Sequence, residues 1–263
     1  MSYRIVFFDI DGTLLDDQKQ IPASTRDAIK HLQEQGIETA IATGRTPATF
    51  AHIRETLNIH SYVSLNGGYV VRNDRVVAHT PMPIDLLDRL QAVAEPNGHA
   101  LGWIGTEEMS ITREHPLVDA CLGVHDIEAP PVQPDLYKNC DIYQGLLFCK
   151  EAELASYVEQ LPELQFIRWH DNALDVQLQG ISKAIGIQHY LEDAKLEAAH
   201  SVAFGDGLND LEMLQYVGVG VAMGNAKEEV KRVAHRVTLS ASDGGIAAAL
   251  QELGLYAPQG AWN

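Results

Sequence analysis

The chain has 263 residues, 46% of them hydrophobic and 21% charged, a balance that excludes a disordered chain and leaves ample material for a core. Its 36 acidic residues against 19 Lys and Arg give a formal net charge of −17, a field that repels nucleic acid and anionic membrane, so neither is expected as a partner. No run is long and apolar enough for a membrane span, and the N-terminal apolar run is too short for a signal-peptide core. Cys121, Cys140 and Cys149 form no CxxC pair, so free thiols in a cytoplasmic protein are expected.

Ile5-Val6-Phe7-Phe8 opens the pattern as a strand buried on both faces of a parallel sheet. It ends in Asp9-Ile10-Asp11-Gly12-Thr13. In an extended chain Asp9 and Asp11 share a face, and Gly12 permits a sharp turn. Pro22 to Thr25 start a helix in which Ala28, Ile29 and Leu32 recur at helical spacing, and Gly36 closes it. A second strand over 37–42 runs into Thr43-Gly44-Arg45. Thr46 and Pro47 then open a helix to about Leu57. A third strand over 62–65 ends in Asn66-Gly67-Gly68. This alternation belongs to a parallel α/β domain, in which ligands bind beyond the carboxyl ends of the strands.

A hairpin follows, Tyr69 to Val71 against Val76 to Ala78. At Pro81-Met82-Pro83 the texture changes. Helices over 84–94 and 151–160, strands over 100–104 and 143–149, and a hairpin over 165–178 suggest an inserted α+β domain. The expected division is 1–82 with 180–263 for the parallel domain and 83–179 for the insert. Ser182-Lys183 opens the next helix, and a strand over 202–204 ends in Gly205-Asp206-Gly207-Leu208-Asn209-Asp210. A helix through Leu211, a strand over 217–222, a helix from Asn225 or Ala226 and a last helix over 243–253 complete the pattern. The tail 258–263 has little to anchor it.

Asp9-Ile10-Asp11-Gly12-Thr13, Thr43-Gly44-Arg45, Lys183 and Gly205 to Asp210 resemble the four ordered motifs of the haloacid dehalogenase-like hydrolases. The insert is similar in size and position to the large C2-type cap of the Cof-type (subfamily IIB) phosphatases in that superfamily. Asn66-Gly67-Gly68 and Asp243-Gly244-Gly245 also sit where that subgroup has similar turns. Ala184 stands where the family often has glycine after its lysine. The resemblance implies a Rossmann-like core with an α+β cap that selects the substrate and closes over it. It also implies Mg²⁺-dependent hydrolysis of a small phosphorylated metabolite, a sugar phosphate or phosphorylated cofactor, through an aspartyl-phosphate.

The chemistry suits these residues. A carboxylate nucleophile splits the displacement into two steps, and a second carboxyl can protonate the leaving oxygen and then activate water. Asp9 and Asp11 supply the pair; the resemblance makes Asp9 the nucleophile and Asp11 the acid/base, an order that spacing alone leaves open. Two anions beside a phosphate need compensating charge, and Mg²⁺ suits oxygen ligands. Asp206 is the expected further ligand, and the resemblance adds Asp9 through its side chain and Asp11 through its carbonyl. Asp210, four residues after Asp206, either joins the ligands or supports them. Thr43, the Gly44 backbone, Lys183 and Asn209 are expected around the phosphate, with Arg45, Asn66 and Gly67 toward the substrate. His115 and His170 read as surface residues, and Trp103 and Trp169 as insert core or as a stacking platform. A phosphomutase and a non-catalytic phosphometabolite sensor remain as other readings, and the protein is expected as a monomer or homodimer.

Overall fold

The computed structural model describes residues 3–123 and 128–257; the tail 258–263 lies outside the described residues. These residues divide into two compact units, one drawn from 1–45, 49–79 and 182–263 and the other from 46–48 and 80–181. The first unit is built on β1 (Ile5–Phe8), whose four residues are all buried. Side-chain alternation sends Val6 and Phe8 into a cluster with Ile29, Leu32, Ile53 and Leu250. Ile5 and Phe7 face the other way, into a cluster with Ile187, Tyr190, Met213 and Leu214. The chain continues through α1 (Ala23–Glu34), β2 (Glu38–Ala42), α2 (Ala51–Leu57), β3 (Tyr62–Ser64), β4 (Tyr69–Arg72) and β5 (Arg75–His79). The helix expected from Thr46 begins instead as a 3-10 turn, Pro47–Phe50, and becomes α-helical at Ala51.

The second unit contains α3 (Ile84–Ala94), β6 (Ala100–Ile104), β7 (Met109–Ile111), α4 (Pro116–Gly123), β8 (Gln144–Phe148), α5 (Ala155–Gln160), β9 (Leu164–His170) and β10 (Ala173–Leu178). Its sheet has the order β7-β6-β8-β10-β9, with every neighbouring pair antiparallel. One face carries Leu101, Trp103, Leu147, Leu174 and Val176 into a core with Leu87 and Leu90 of α3 and Tyr157 of α5. Trp103 is therefore core, and its buried indole N–H donates to the Pro134 carbonyl at 3.0 Å. Asp175 points to the opposite face, because it pairs with Leu146 and Ile167 rather than with a core position.

The chain returns to the first unit with α6 (Lys183–Ala194), β11 (Ser201–Gly205), α7 (Leu211–Tyr216), β12 (Val219–Ala222), α8 (Glu228–Val233), β13 (Arg236–Val237) and α9 (Gly245–Glu252). The sheet runs β13-β12-β11-β1-β2-β3-β4-β5. The strands from β13 to β3 are parallel, and β4 and β5 extend the sheet antiparallel. This is the expected Rossmann-like α/β core. Ser182 caps α6 by accepting from the Ile185 N–H at 3.4 Å. The helix approaches the turn after β3 very closely at Gly186, where an added Cβ would lie 2.7 Å from Gly67 Cα. The helix expected from Asn225 or Ala226 starts later, at Glu228. Asn225 stays in a turn, its side chain donating to the Gly12 carbonyl at 2.8 Å and accepting from the Ala241 N–H at 3.0 Å. No helix among the described residues is long and apolar enough to cross a membrane.

Burial pushes the Asp175 carboxyl from its ordinary 3.8 up to about 7, against hydrogen bonds from Gln144 and Trp169. The folded chain then holds a proton between about pH 4 and 7 that the unfolded chain has released, so this group's contribution to stability falls as pH rises through that window. Asp175→Asn, neutral throughout, should flatten that slope. Urea unfolding should show the variant gaining on wild type at pH 8 but not at pH 4.

Candidate active site

The strand alternation that sends Ile5 and Phe7 toward α6 carries on to Asp9, which follows β1 and is only 7% exposed. Its N–H donates to the Phe204 carbonyl at 3.0 Å, which keeps the end of β1 in register with β11. Lys183, the first residue of α6, has a fully buried side chain. Its Nζ donates to Asp9 Oδ1 at 2.5 Å and to Asp210 Oδ1 at 2.6 Å. The other Asp210 oxygen accepts the backbone N–H groups of Asp206 and Gly207, each at 2.9 Å. The turn after β11 is thus folded around Asp210. Gly205 is required there, because an added Cβ would lie 2.6 Å from the Asp210 carboxyl carbon.

Asp206 emerges from the same turn. Thr13 Oγ1 donates to its Oδ1 at 3.3 Å, and Asn225 Nδ2 lies 3.4 Å from its Oδ2. Gly12 has φ +77°, and a Cβ there would overlap the Asp206 carboxylate, so glycine lets the first motif turn pass beside the fourth. Ligand oxygens of Asp9, Asp206 and Asp210 all lie within 4.8 Å of one another. Three carboxylates thus share one ammonium. Burial works against the Lys183 charge, but Asp210 and Asp9 outweigh it and hold the amine protonated above its ordinary range. Burial pushes Asp9 up to about 8, opposed by Lys183 and reinforced by Asp210. Burial and Asp210 push Asp206 up to about 6. The excess negative charge is what a divalent cation would neutralise, and an all-oxygen donor set suits Mg²⁺. Asp210 holds Lys183 at 2.6 Å and two backbone N–H groups at 2.9 Å, whereas the Asp206 oxygens meet only longer contacts of 3.3 and 3.4 Å, so Asp9 and Asp206 have the more available oxygens.

Asp11 does not share the buried position of Asp9, because the chain leaves the extended conformation at Ile10. Its side chain is 48% exposed, and Arg45 binds it with both prongs, Nε to Oδ2 at 2.8 Å and Nη2 to Oδ1 at 2.6 Å. Lys19 Nζ lies 3.5 Å from Oδ1. Burial raises the Asp11 pKa, but Arg45 and Lys19 outweigh it and hold the carboxyl below its ordinary range.

The turn after β2 lies against the turn after β3. Thr43 is buried, its Oγ1 accepts from the Arg45 N–H at 3.1 Å, and its carbonyl accepts from the Asn66 N–H at 3.1 Å. Asn66 adopts φ +51°, and its Oδ1 accepts from Asn209 Nδ2 at 3.1 Å, tying the β3 turn to the β11 turn. Gly44 faces Asn66 closely enough that a Cβ would lie 3.1 Å from Oδ1. Gly67 has a packing position: at φ +102°, a Cβ would overlap the Ser182 carbonyl behind the first turn of α6. The structure therefore gathers Asp9, Lys183, Asp206 and Asp210 in one cluster, links Thr43, Asn66 and Asn209, and pairs Arg45 with Asp11. Two contributors escaped the sequence reading. Lys19 lies in a loop without pattern, whereas Asn225 follows β12 just as the polar turns follow the other parallel strands, a signal that could have found it.

A family model described as haloacid dehalogenase-like hydrolase matches residues 6–250. The chain belongs to the haloacid dehalogenase-like hydrolases. This hydrolase is 41% identical over 256 residues to YkrA of Bacillus subtilis (strain 168), a presumed phosphatase by name, with 97% of this chain and 99% of that protein covered. It is 28% identical over 264 residues to YitU of the same organism, named 5-amino-6-(5-phospho-D-ribitylamino)uracil phosphatase, covering 94% and 96% of the two chains. Among solved structures, the subclass IIB sugar phosphatase BT4131 superposes with a TM-score of 0.82 at 28% identity, covering 96% of this chain and all of that one (100%). The Cof-type, subfamily IIB resemblance of the motifs accordingly holds, and this hydrolase is an enzyme of the phosphatase kind.

Removing the shared ammonium tests the electrostatics of the cluster. In metal-free protein, Lys183→Met should lower stability at pH 8 by about 3–5 kcal/mol, the cost of uncompensated buried charge. The deficit should shrink at lower pH, because the carboxylates can then neutralise by protonation. Urea unfolding at pH 8 and pH 5 checks both the size and the direction.

Proposed function

We propose that this enzyme is a Mg²⁺-dependent phosphatase that hydrolyses a small phosphorylated metabolite through an aspartyl-phosphate on Asp9. The observation that carries the reading is the buried Asp9 carboxylate, held at the end of β1 by Lys183 and facing Asp206. Mg²⁺, held by the side chains of Asp9 and Asp206 and the carbonyl of Asp11, would supply the positive charge that lets two carboxylates meet a phosphate dianion. The family and the donor chemistry support that assignment.

In the proposed sequence an Asp9 oxygen attacks phosphorus and the bond to the leaving oxygen breaks. Asp11 gives its proton to that oxygen as it departs. The Asp11 carboxylate then takes a proton from water as the water oxygen attacks phosphorus, the Asp9–phosphorus linkage opens, and inorganic phosphate leaves. Lys183 keeps Asp9 oriented and compensates charge on the phosphoryl oxygens. Thr43, the Gly44 N–H and Asn209 hold those oxygens, and Asn66 steadies Asn209. Arg45 has two anions to choose from. A bound phosphate draws the guanidinium away from Asp11, which raises the Asp11 pKa toward the protonated form that the first step needs. Asp210 acts by holding Lys183 and the β11 turn in place. The inserted α+β unit is proposed to select the substrate and shield the reaction from bulk water. The names of YitU and BT4131, one for a phosphoribityl compound and the other for sugar phosphates, support a sugar phosphate or a phosphorylated cofactor as the substrate class.

Phosphate release from para-nitrophenyl phosphate should require Mg²⁺ and stop with chelator. Asp9→Asn should lose at least about 10³-fold in kcat with its thermal unfolding retained, the scale expected when a covalent nucleophile is removed. Full activity in the variant would refute the role given to Asp9.

A further inference from the structure

Asp206, at the end of β11, has one side-chain donor on each oxygen: Thr13 Oγ1 lies 3.3 Å from Oδ1 and Asn225 Nδ2 lies 3.4 Å from Oδ2. Thr13 is buried in the first-motif turn, whereas Asn225 reaches in from an exposed position in the turn after β12. The same Nδ2 donates to the Gly12 carbonyl at 2.8 Å. An amide nitrogen carries two hydrogens, so it can serve both acceptors at once. All of these residues belong to the first compact unit.

The Asn225 amide can face only one way. Its Oδ1 accepts from the Ala241 N–H at 3.0 Å, and that backbone donor turns Nδ2 toward Gly12 and Asp206. The turn supplying the N–H is itself braced. The Gly245 N–H donates to the Ser240 carbonyl at 3.0 Å, Thr238 Oγ1 to the Gly245 carbonyl at 2.8 Å, and Ser242 Oγ to Asp17 Oδ2 at 3.3 Å. Asn225 therefore stands between this backing and the two motif turns that pass each other at Gly12. Exposed as it is, its amide could be hydrated instead, so the fold gains little from the bonds to Gly12 and Asp206. Those bonds do act on the carboxylate. A donor on each Asp206 oxygen opposes rotation of the group, yet each oxygen keeps a lone pair for a cation.

We propose that Asn225 is a positioning residue for the metal: by donating from one nitrogen to the Gly12 carbonyl and to Asp206, it holds the Asp206 carboxylate against the first-motif turn, so that Mg²⁺ meets oxygens already in place. The inference deepens the phosphatase reading and rests on it.

The test titrates Mg²⁺ into substrate-free protein by calorimetry, in wild type and Asn225→Ala, and measures the half-activating Mg²⁺ concentration for para-nitrophenyl phosphate in both. The variant should bind Mg²⁺ about tenfold more weakly, the lower end of the loss when a residue supporting a metal ligand is removed. Its half-activating concentration should rise by the same factor, so its deficit in rate closes as Mg²⁺ is raised. Loss of the Ala241 bond is read separately, as lower thermal stability in chelator. A merely structural role would lower stability and reduce the rate equally at every Mg²⁺ concentration. Should Asn225→Ala fail to fold, Asn225→Ser, which leaves a polar group in the turn, takes its place with the same expected loss. Mg²⁺ affinity and half-activating concentration unchanged from wild type overturn this inference alone. A wild type that neither binds Mg²⁺ nor releases phosphate in its presence overturns the phosphatase reading and the inference with it.

Discussion

One buried ammonium, Lys183 Nζ, lies 2.5 Å from Asp9 and 2.6 Å from Asp210, and the arrangement of the strand ends depends on it. A charge placed so deep is expensive unless paired, and here the pairing goes beyond neutrality, since Asp206 joins the same cluster. Well-packed apolar residues often replace a buried ion cluster with no loss of stability, so burial of these charges is not explained by folding alone. The excess carboxylate leaves negative charge that a cation would neutralise. Burial first, and the Asp210 charge after it, push the Asp9 and Asp206 carboxyls up.

The sheet makes the cluster possible through ordinary geometry. Period-two alternation along β1 points Asp9 at α6, and the Ser182 cap sets where that helix begins, so Lys183 arrives opposite Asp9. Two close backbone approaches complete the placement. Gly12 lets its turn pass beside Asp206, and Gly67 against Gly186 lets α6 sit tight on the turn after β3. A side chain at either place would displace an acid or the lysine, so these glycines act on the site through position alone.

The parallel core was legible because its strands are continuous apolar runs and each ends in a turn with unusual chemistry. The first three strands and their helices, the β4–β5 hairpin and the capped start of α6 were all readable in this way. Less legible were segments whose local pattern competes with tertiary contacts. Asn225 resembles a helix start, but its amide is taken by the Gly12 carbonyl and the helix waits until Glu228. β7 and α4 are too short, and too interrupted by turns and prolines, to show a period. The equivalence of Asp9 and Asp11 suggested by i, i+2 spacing dissolves once the chain turns at Ile10, leaving one buried against a lysine and the other exposed against an arginine.

The central claim is that Asp9 carries the phosphoryl group. Protein mixed with para-nitrophenyl phosphate and Mg²⁺, quenched in acid and digested, should yield the Asp9-containing peptide heavier by one phosphoryl group, and Asp9→Asn should yield none. Turnover with that peptide unmodified and the phosphoryl group on another side chain would contradict the account.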